Sequence, residues 1–150
     1  MEFELTVKID APPEKVFRFL RDKHLYQRSP GSAVLVLDKT SPGPVGVGTR
    51  YREVVRMLPW FDGQILSEIA EFEEDARITE LFSGSNMNGE LTYRFSPVGS
   101  GTRLIQRQRF EFHGWIRLML PLIWLALAFQ LRRRLRSIKR ILEQEPPGAG

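Results

Sequence analysis

The sequence predicts an α+β fold: one strand, a short helix or helix pair, six further strands and a long C-terminal helix. Two patterns carry that prediction. Seven runs have strand character, and the last five follow one another across short turns, as in an antiparallel meander. From Trp115 to about Glu143 the apolar residues then recur at helical spacing. A sheet of this size has one apolar face that needs a cover. A helix of about 40 Å, at 1.5 Å per residue, is long enough to provide it. The 150 residues, 42% apolar and 27% charged, suit one globular domain, expected over residues 1–145, with 146–150 (PPGAG) as a disordered tail.

Each element has a local reason. In EFELTVKI (2–9) the apolar positions Phe3, Leu5, Val7 and Ile9 alternate with polar ones. DAPPEKVFRFL follows, with Pro13 where a first helical turn tolerates proline and with Val16, Phe17 and Leu20 as an apolar stripe. Residues 33–38 (AVLVLD) read as the second strand, and SPGPVGVG as a loop. Five runs complete the sheet: TRYREVVRM, FDGQILSEIAEF, ARITELFSG, GELTYRFSP and TRLIQRQRFEF. LPW, EED, SNMN and VGSG are the turns between them.

Composition removes several functional classes. Without cysteine there are no disulfides or thiolate metal sites, and the lone histidines His24 and His113 make no metal centre. No metal and no cofactor is expected. No nucleophile elbow or phosphate loop is present, because GPVGVG bridges strands rather than opening a helix. The net charge of +4 sits at one place. Residues 132–145 hold six cations and two anions, while the preceding chain balances at 16 against 16. A nucleic-acid surface would spread its cations more widely and interleave aromatic residues, so no nucleic-acid partner is expected. MEFELTVKID lacks the apolar run of a secretory signal, and the expected location is the cytoplasm, including the inner membrane face.

Four stretches, in order and spacing, resemble the START-like (SRPBCC) superfamily, in particular its polyketide cyclase/dehydrase and lipid-transport-like branch. They are IDAPPEKVFRFLRD (9–22), GPVGVGTRY (43–51), FSPVGSGTRL (95–104) and the final helix after FHGW. The resemblance implies a helix-grip fold, in which a curved seven-stranded antiparallel sheet wraps a long C-terminal helix around an apolar cavity. It also implies a small hydrophobic ligand or lipid as partner. Many relatives carry a tryptophan and a proline after the first helices, where this chain has LYQRSPGS with Tyr26 and Pro30. Such a fold hosts carriers, receptors and cyclases alike, so function has to come from the site.

Alternation along the strands gives the candidate cavity wall. In TRLIQRQRFEF the face carrying Arg103, Arg107 and Arg109 must be the solvent side, since desolvating several guanidinium groups is prohibitive. Leu104, Gln106, Gln108, Phe110 and Phe112 then point inward. The two amides are able either to orient a ligand's oxygens or to bond neighbours and water. By the same logic Tyr51, Glu53, Val55 and Met57 face in, and Arg50, Arg52 and Arg56 face out. A carboxylate in an apolar chamber is a candidate acid or base, with an ion pair as the alternative role for Glu53. Tyr93 faces inward with Leu91 and Phe95. The loop MLPWF places Leu58, Pro59 and Trp60 at a hairpin tip, matching the Leu-Pro entry loop of hormone-receptor relatives, with SGSNMNG (83–89) as its companion.

The stretch LMLPLIWLALAFQLRRRLR (118–136) is too short for a comfortable membrane span, which needs about 20 apolar residues, and it contains Pro121. Projecting the stripe of Leu131, Leu135, Ile138 and Leu142 backward predicts Leu120, Trp124, Leu127 and Ala128 on the covered face, with Trp124 and Leu127 lining the cavity. Leu118, Leu122, Leu125 and Phe129 lie opposite and run into Arg132, Arg133 and Arg136. That second face suits burial by adjacent loops, a membrane surface or a homodimer contact. Three functions follow as expectations. The first is a non-catalytic carrier of a hydrophobic molecule or lipid. The second is a cyclase/dehydratase using Glu53 with Tyr93, and the third is an interaction module using the outer helix face.

Overall fold

A computed structural model describes residues 1–22 and 34–144, without the side chains of Met57 and Leu58. His24, Tyr26, Pro30 and the expected tail 146–150 lie outside the described residues. The elements are β1 (Glu2–Ile9), α1 (Pro13–Arg21), β2 (Val34–Lys39), β3 (Arg50–Leu58), β4 (Phe61–Glu73), β5 (Arg77–Gly84), β6 (Met87–Val98), β7 (Gly101–Phe112) and α2 (Leu120–Gln144). A 3₁₀ turn over Gly114–Met119 leads into α2. The strands form one seven-stranded antiparallel sheet in the order β1-β7-β6-β5-β4-β3-β2, with α2 laid across its inner face. This is the helix-grip fold that the resemblance implies.

Period-two alternation does most of the work. Along β7, Leu104, Gln106 and Phe110 are buried while Arg103, Arg107 and Arg109 are exposed. The outward arginines meet carboxylates on neighbouring strands: Arg52–Asp38 at 2.7 Å, Arg56–Asp62 at 2.8 Å, Arg107–Glu2 at 2.9 Å and Arg109–Glu90 at 3.2 Å. Such exposed pairs fix register more than they add stability. A bulge between Ile69 and Glu71 inserts Ala70 and changes the phase of β4. Beyond it Phe72, rather than the next residue in the alternation, turns inward and meets Phe17 of α1 edge-on, with ring centroids 5.2 Å apart.

Gly89 leaves room on the inner face of β6 that a side chain would fill. It lies opposite both Phe82 and Phe110, whose rings meet edge-on at 5.5 Å. A Cβ at residue 89 would collide with the Arg109 carbonyl and come within 2.7 Å of the Phe82 ring. The missing side chain is therefore what lets the two rings meet across the strand.

The C-terminal helix differs from the continuous helix expected from Trp115. Gly114, at a positive φ of 72°, turns the chain off β7 into the 3₁₀ turn, and α2 begins only at Leu120. Pro121 thus falls in the first turn, where its missing N–H costs no helical hydrogen bond. Leu131, Leu135, Ile138 and Leu142 bury against the sheet as the spacing predicted. The far end is anchored on β1: the Lys139 ammonium donates to the Lys8 carbonyl at 2.7 Å and to Glu143 at 2.7 Å, and Glu143 accepts from the Asp10 N–H at 2.9 Å.

The first turns of α2 are covered differently from the expectation. Ile123 is buried with Ile116 against Phe61 and Phe112, Leu127 and Ala128 are half-buried, and Trp124 is 48% exposed. Trp124 does not line the interior; its ring stacks on Phe3 at the β1 edge, centroids 6.2 Å apart. Trp124 keeps the phase of the stripe, seven residues before Leu131 in the same α-helix, but there the helix meets the edge strand β1 rather than the sheet's interior.

Candidate ligand-binding site

The inner face of the sheet is largely apolar, and a diagonal of polar residues crosses it. Register places Glu53 of β3 diagonally beside Ser67 of β4, which in turn neighbours Glu80 of β5. Glu80 stands diagonal to Tyr93 of β6, and Tyr93 lies directly opposite Gln106 of β7. All five are buried. Diagonal neighbours in a sheet are close enough for long side chains to meet, so successive members of the diagonal can reach one another. Neither glutamate is free of partners, and the same holds for Ser67 and Tyr93.

From the other side, α2 contributes Arg134. Its guanidinium donates to the Tyr93 hydroxyl at 3.2 Å. Gln106 donates through Nε2 to Gln108 Oε1 at 3.0 Å, while its own Oε1 is buried with no hydrogen-bond partner. One valence of an amide that is only 1% exposed is thus left for a water or a ligand. A void of about 10 Å³, room for about one water, lies between Leu20 and Arg21 of α1 and Ile69, Glu80, Leu91 and Tyr93 of the sheet.

Of the residues expected at this wall, Tyr51, Glu53, Tyr93, Gln106 and Phe110 are buried on the face toward α2, and Val55, Gln108 and Leu127 are half-buried there. Met57 and Leu58 lie outside the described side chains. Pro59 and Trp60 stand exposed at the β3–β4 turn. Glu80 and Arg134 were not among the expected site residues, though both had a signal. Glu80 alternates with Ile78 and Phe82 in RITELF, and Arg134 falls between Leu131 and Ile138 on the covered stripe. His113 caps the rim instead, its Nε2 2.6 Å from the Asn88 side-chain oxygen. Among the described residues no group of histidines and carboxylates could hold a metal. On the outer helix face, Leu118, Leu122, Leu125, Phe129, Arg132, Arg133 and Arg136 are all exposed.

A curved sheet gripping a helix, with sparse polar groups inside, is shared by a recognised family. The family model for polyketide cyclase/dehydrase and lipid transport proteins matches residues 1–143. The chain belongs to that family. The START-like (SRPBCC) resemblance read from the sequence is thereby confirmed at superfamily level. Solved structures with the same fold include TTHA0849 from Thermus thermophilus, at 23% identity and a TM-score of 0.78, covering 95% of this chain and 97% of that one. A conserved protein from Geobacillus kaustophilus reaches 0.77 at 11% identity, covering 95% of each chain. Ara h 8.0201 reaches 0.73 at 14% identity, over 97% of this chain and 99% of that one. At these identities the likeness is one of fold. Among curated proteins none matches this family member.

Proposed function

We propose that this protein binds and carries a small hydrophobic molecule or lipid between the inner face of its sheet and α2, in the cytoplasm or at the inner membrane face. The observation that carries the reading is the composition of that inner face: apolar walls crossed by one polar diagonal, with the buried Gln106 Oε1 open to a donor. Apolar burial supplies affinity, and a few fixed polar groups set orientation. The family's description as lipid transport supports the same reading.

A second reading has its own observation. Two buried carboxylates, Glu53 and Glu80, share the inner face with the Tyr93 hydroxyl, the set of groups that an aldol-type cyclisation or a dehydration needs for proton transfer. The two readings separate in one comparison. Native mass spectrometry of freshly purified protein, followed by organic extraction, should reveal a near-stoichiometric hydrophobic molecule, and a Glu53→Gln variant should retain it unchanged. An empty protein that takes up no apolar fluorescent probe would sink the carrier reading. Release of a chemically altered product by wild type but not by Glu53→Gln would favour the enzyme.

A further inference from the structure

The C-terminal half of α2 is packed into the core, whereas much of its first half is exposed. Of the apolar 18-residue window within residues 114–144, mean hydropathy 1.6, only 17% is buried. That helix is long and apolar enough to cross a bilayer by length and composition alone. A span would, however, draw Leu131, Leu135, Ile138 and Leu142 out of the core they help to build. What remains is a surface. Leu122, Leu125 and Phe129 are 46%, 61% and 69% exposed at the three- and four-residue spacing of one helix stripe, and Leu118 of the preceding 3₁₀ turn is 88% exposed.

Two further features extend that stripe. At the rim, Trp115 is about half exposed and meets Phe61 edge-on at 5.5 Å, while Trp60 stands out from the adjoining hairpin tip, 67% exposed. Along the helix, the stripe continues into exposed Arg132, Arg133, Arg136 and Arg140. Among the described residues none of these four makes an ion pair, and no acidic residue occurs between Phe112 and Glu143. A groove of about 500 Å³ runs along this side from Trp124 and Phe129 to the arginines.

We infer that this face docks on an anionic lipid bilayer. Charge complementarity selects that occupant. A second copy packed on the same face would confront unpaired arginines with apolar residues or further arginines, and the one carboxylate of the helix, Glu143, is engaged by Lys139 and the Asp10 N–H. An anionic bilayer supplies an apolar medium for the leucines and Phe129, an interfacial zone for Trp60 and Trp115, and negative head groups for the arginines. The inference stands on the outer face alone and holds whether or not a ligand occupies the inner one.

Co-sedimentation of the full chain with vesicles tests it. Equimolar phosphatidylcholine and phosphatidylglycerol should bind the protein, phosphatidylcholine alone should bind it poorly, and high salt should release it. Replacing Arg132, Arg133 and Arg136 with Gln should weaken binding by about fivefold per charge. A Leu125→Ser/Phe129→Ser variant, folded by circular dichroism, should also weaken it and should abolish the blue shift of tryptophan fluorescence on binding. Equal binding to both vesicle types, no binding by folded wild type, or full binding by the serine variant would each overturn the inference. So would a dimer that the serine variant disperses in the absence of any vesicle binding.

Discussion

The guanidinium of Arg134 on α2 donates to the phenolic oxygen of Tyr93 on β6 at 3.2 Å, joining the helix to the middle of the sheet across 41 positions of sequence. A bond of this kind contributes about 1 kcal/mol net. Tyr93→Phe should therefore lower unfolding free energy by about that amount while leaving Arg134 its other partners. A double-mutant cycle with Arg134→Met, read by denaturant titration, should return a coupling of similar size. A coupling near zero would mean that the contact is incidental.

Gln106 and Gln108 behave as a unit. Gln108→Leu alone strands the buried Gln106 Nε2 donor and should cost about 1–2 kcal/mol. Replacing both with leucine removes donor and acceptor together and should leave stability within about 1 kcal/mol of wild type. The double variant should nevertheless change which hydrophobic molecules the protein retains, measured by competition against an apolar fluorescent probe. Unchanged preference would remove both amides from the binding site.

Gly89→Ala should be severe for a one-methyl change. The added Cβ has nowhere to go between the Arg109 carbonyl and the Phe82 ring, so β6 must shift from β7. A loss of about 2–3 kcal/mol is expected, typical of overpacking in a filled core. Gly46→Ala, where a Cβ meets nothing within 4 Å, is the control and should be nearly silent by thermal denaturation.

Glu143 sets an acid limit at the end of α2. The hydrogen bond from Lys139, then that from the Asp10 N–H, hold its carboxyl below its ordinary value of 4.5. A group whose folded pKa is depressed stabilises the fold above its unfolded pKa, and loses that effect as pH falls through the folded one. Wild type should exceed Glu143→Gln by up to about 1 kcal/mol near neutrality. The gap should close as the pH drops below 4.5. A gap independent of pH would mean that the carboxylate charge plays no part.

The strands and their faces were legible because the β period of two needs only local information. Once Arg103, Arg107 and Arg109 are assigned to solvent, Gln106 and Gln108 can only point in, and the same argument turned Glu53 inward. It would equally have found Glu80. The bulge at Ala70 was invisible, since one inserted residue leaves no mark on composition yet changes the side on which Phe72 emerges. Gly89 was visible as a glycine but not as the gap through which Phe82 and Phe110 meet, because those rings come from separate strands.

Amphipathic spacing was enough to determine which side of the last helix is core from Leu131 onward, and where its basic end lies. Spacing failed at Trp124, because what covers the start of α2 is decided by Ile116, Phe61 and Phe112 closing on Ile123, while Trp124 meets Phe3 of the edge strand and stays half exposed. The partner of each buried polar group was also beyond reach of the linear chain. Arg134 reads as one more cation in RRRLR, and only packing α2 across β6 places its guanidinium on Tyr93. Local periodicity fixes the direction of a side chain relative to its own element, whereas its neighbours depend on how distant elements close over it.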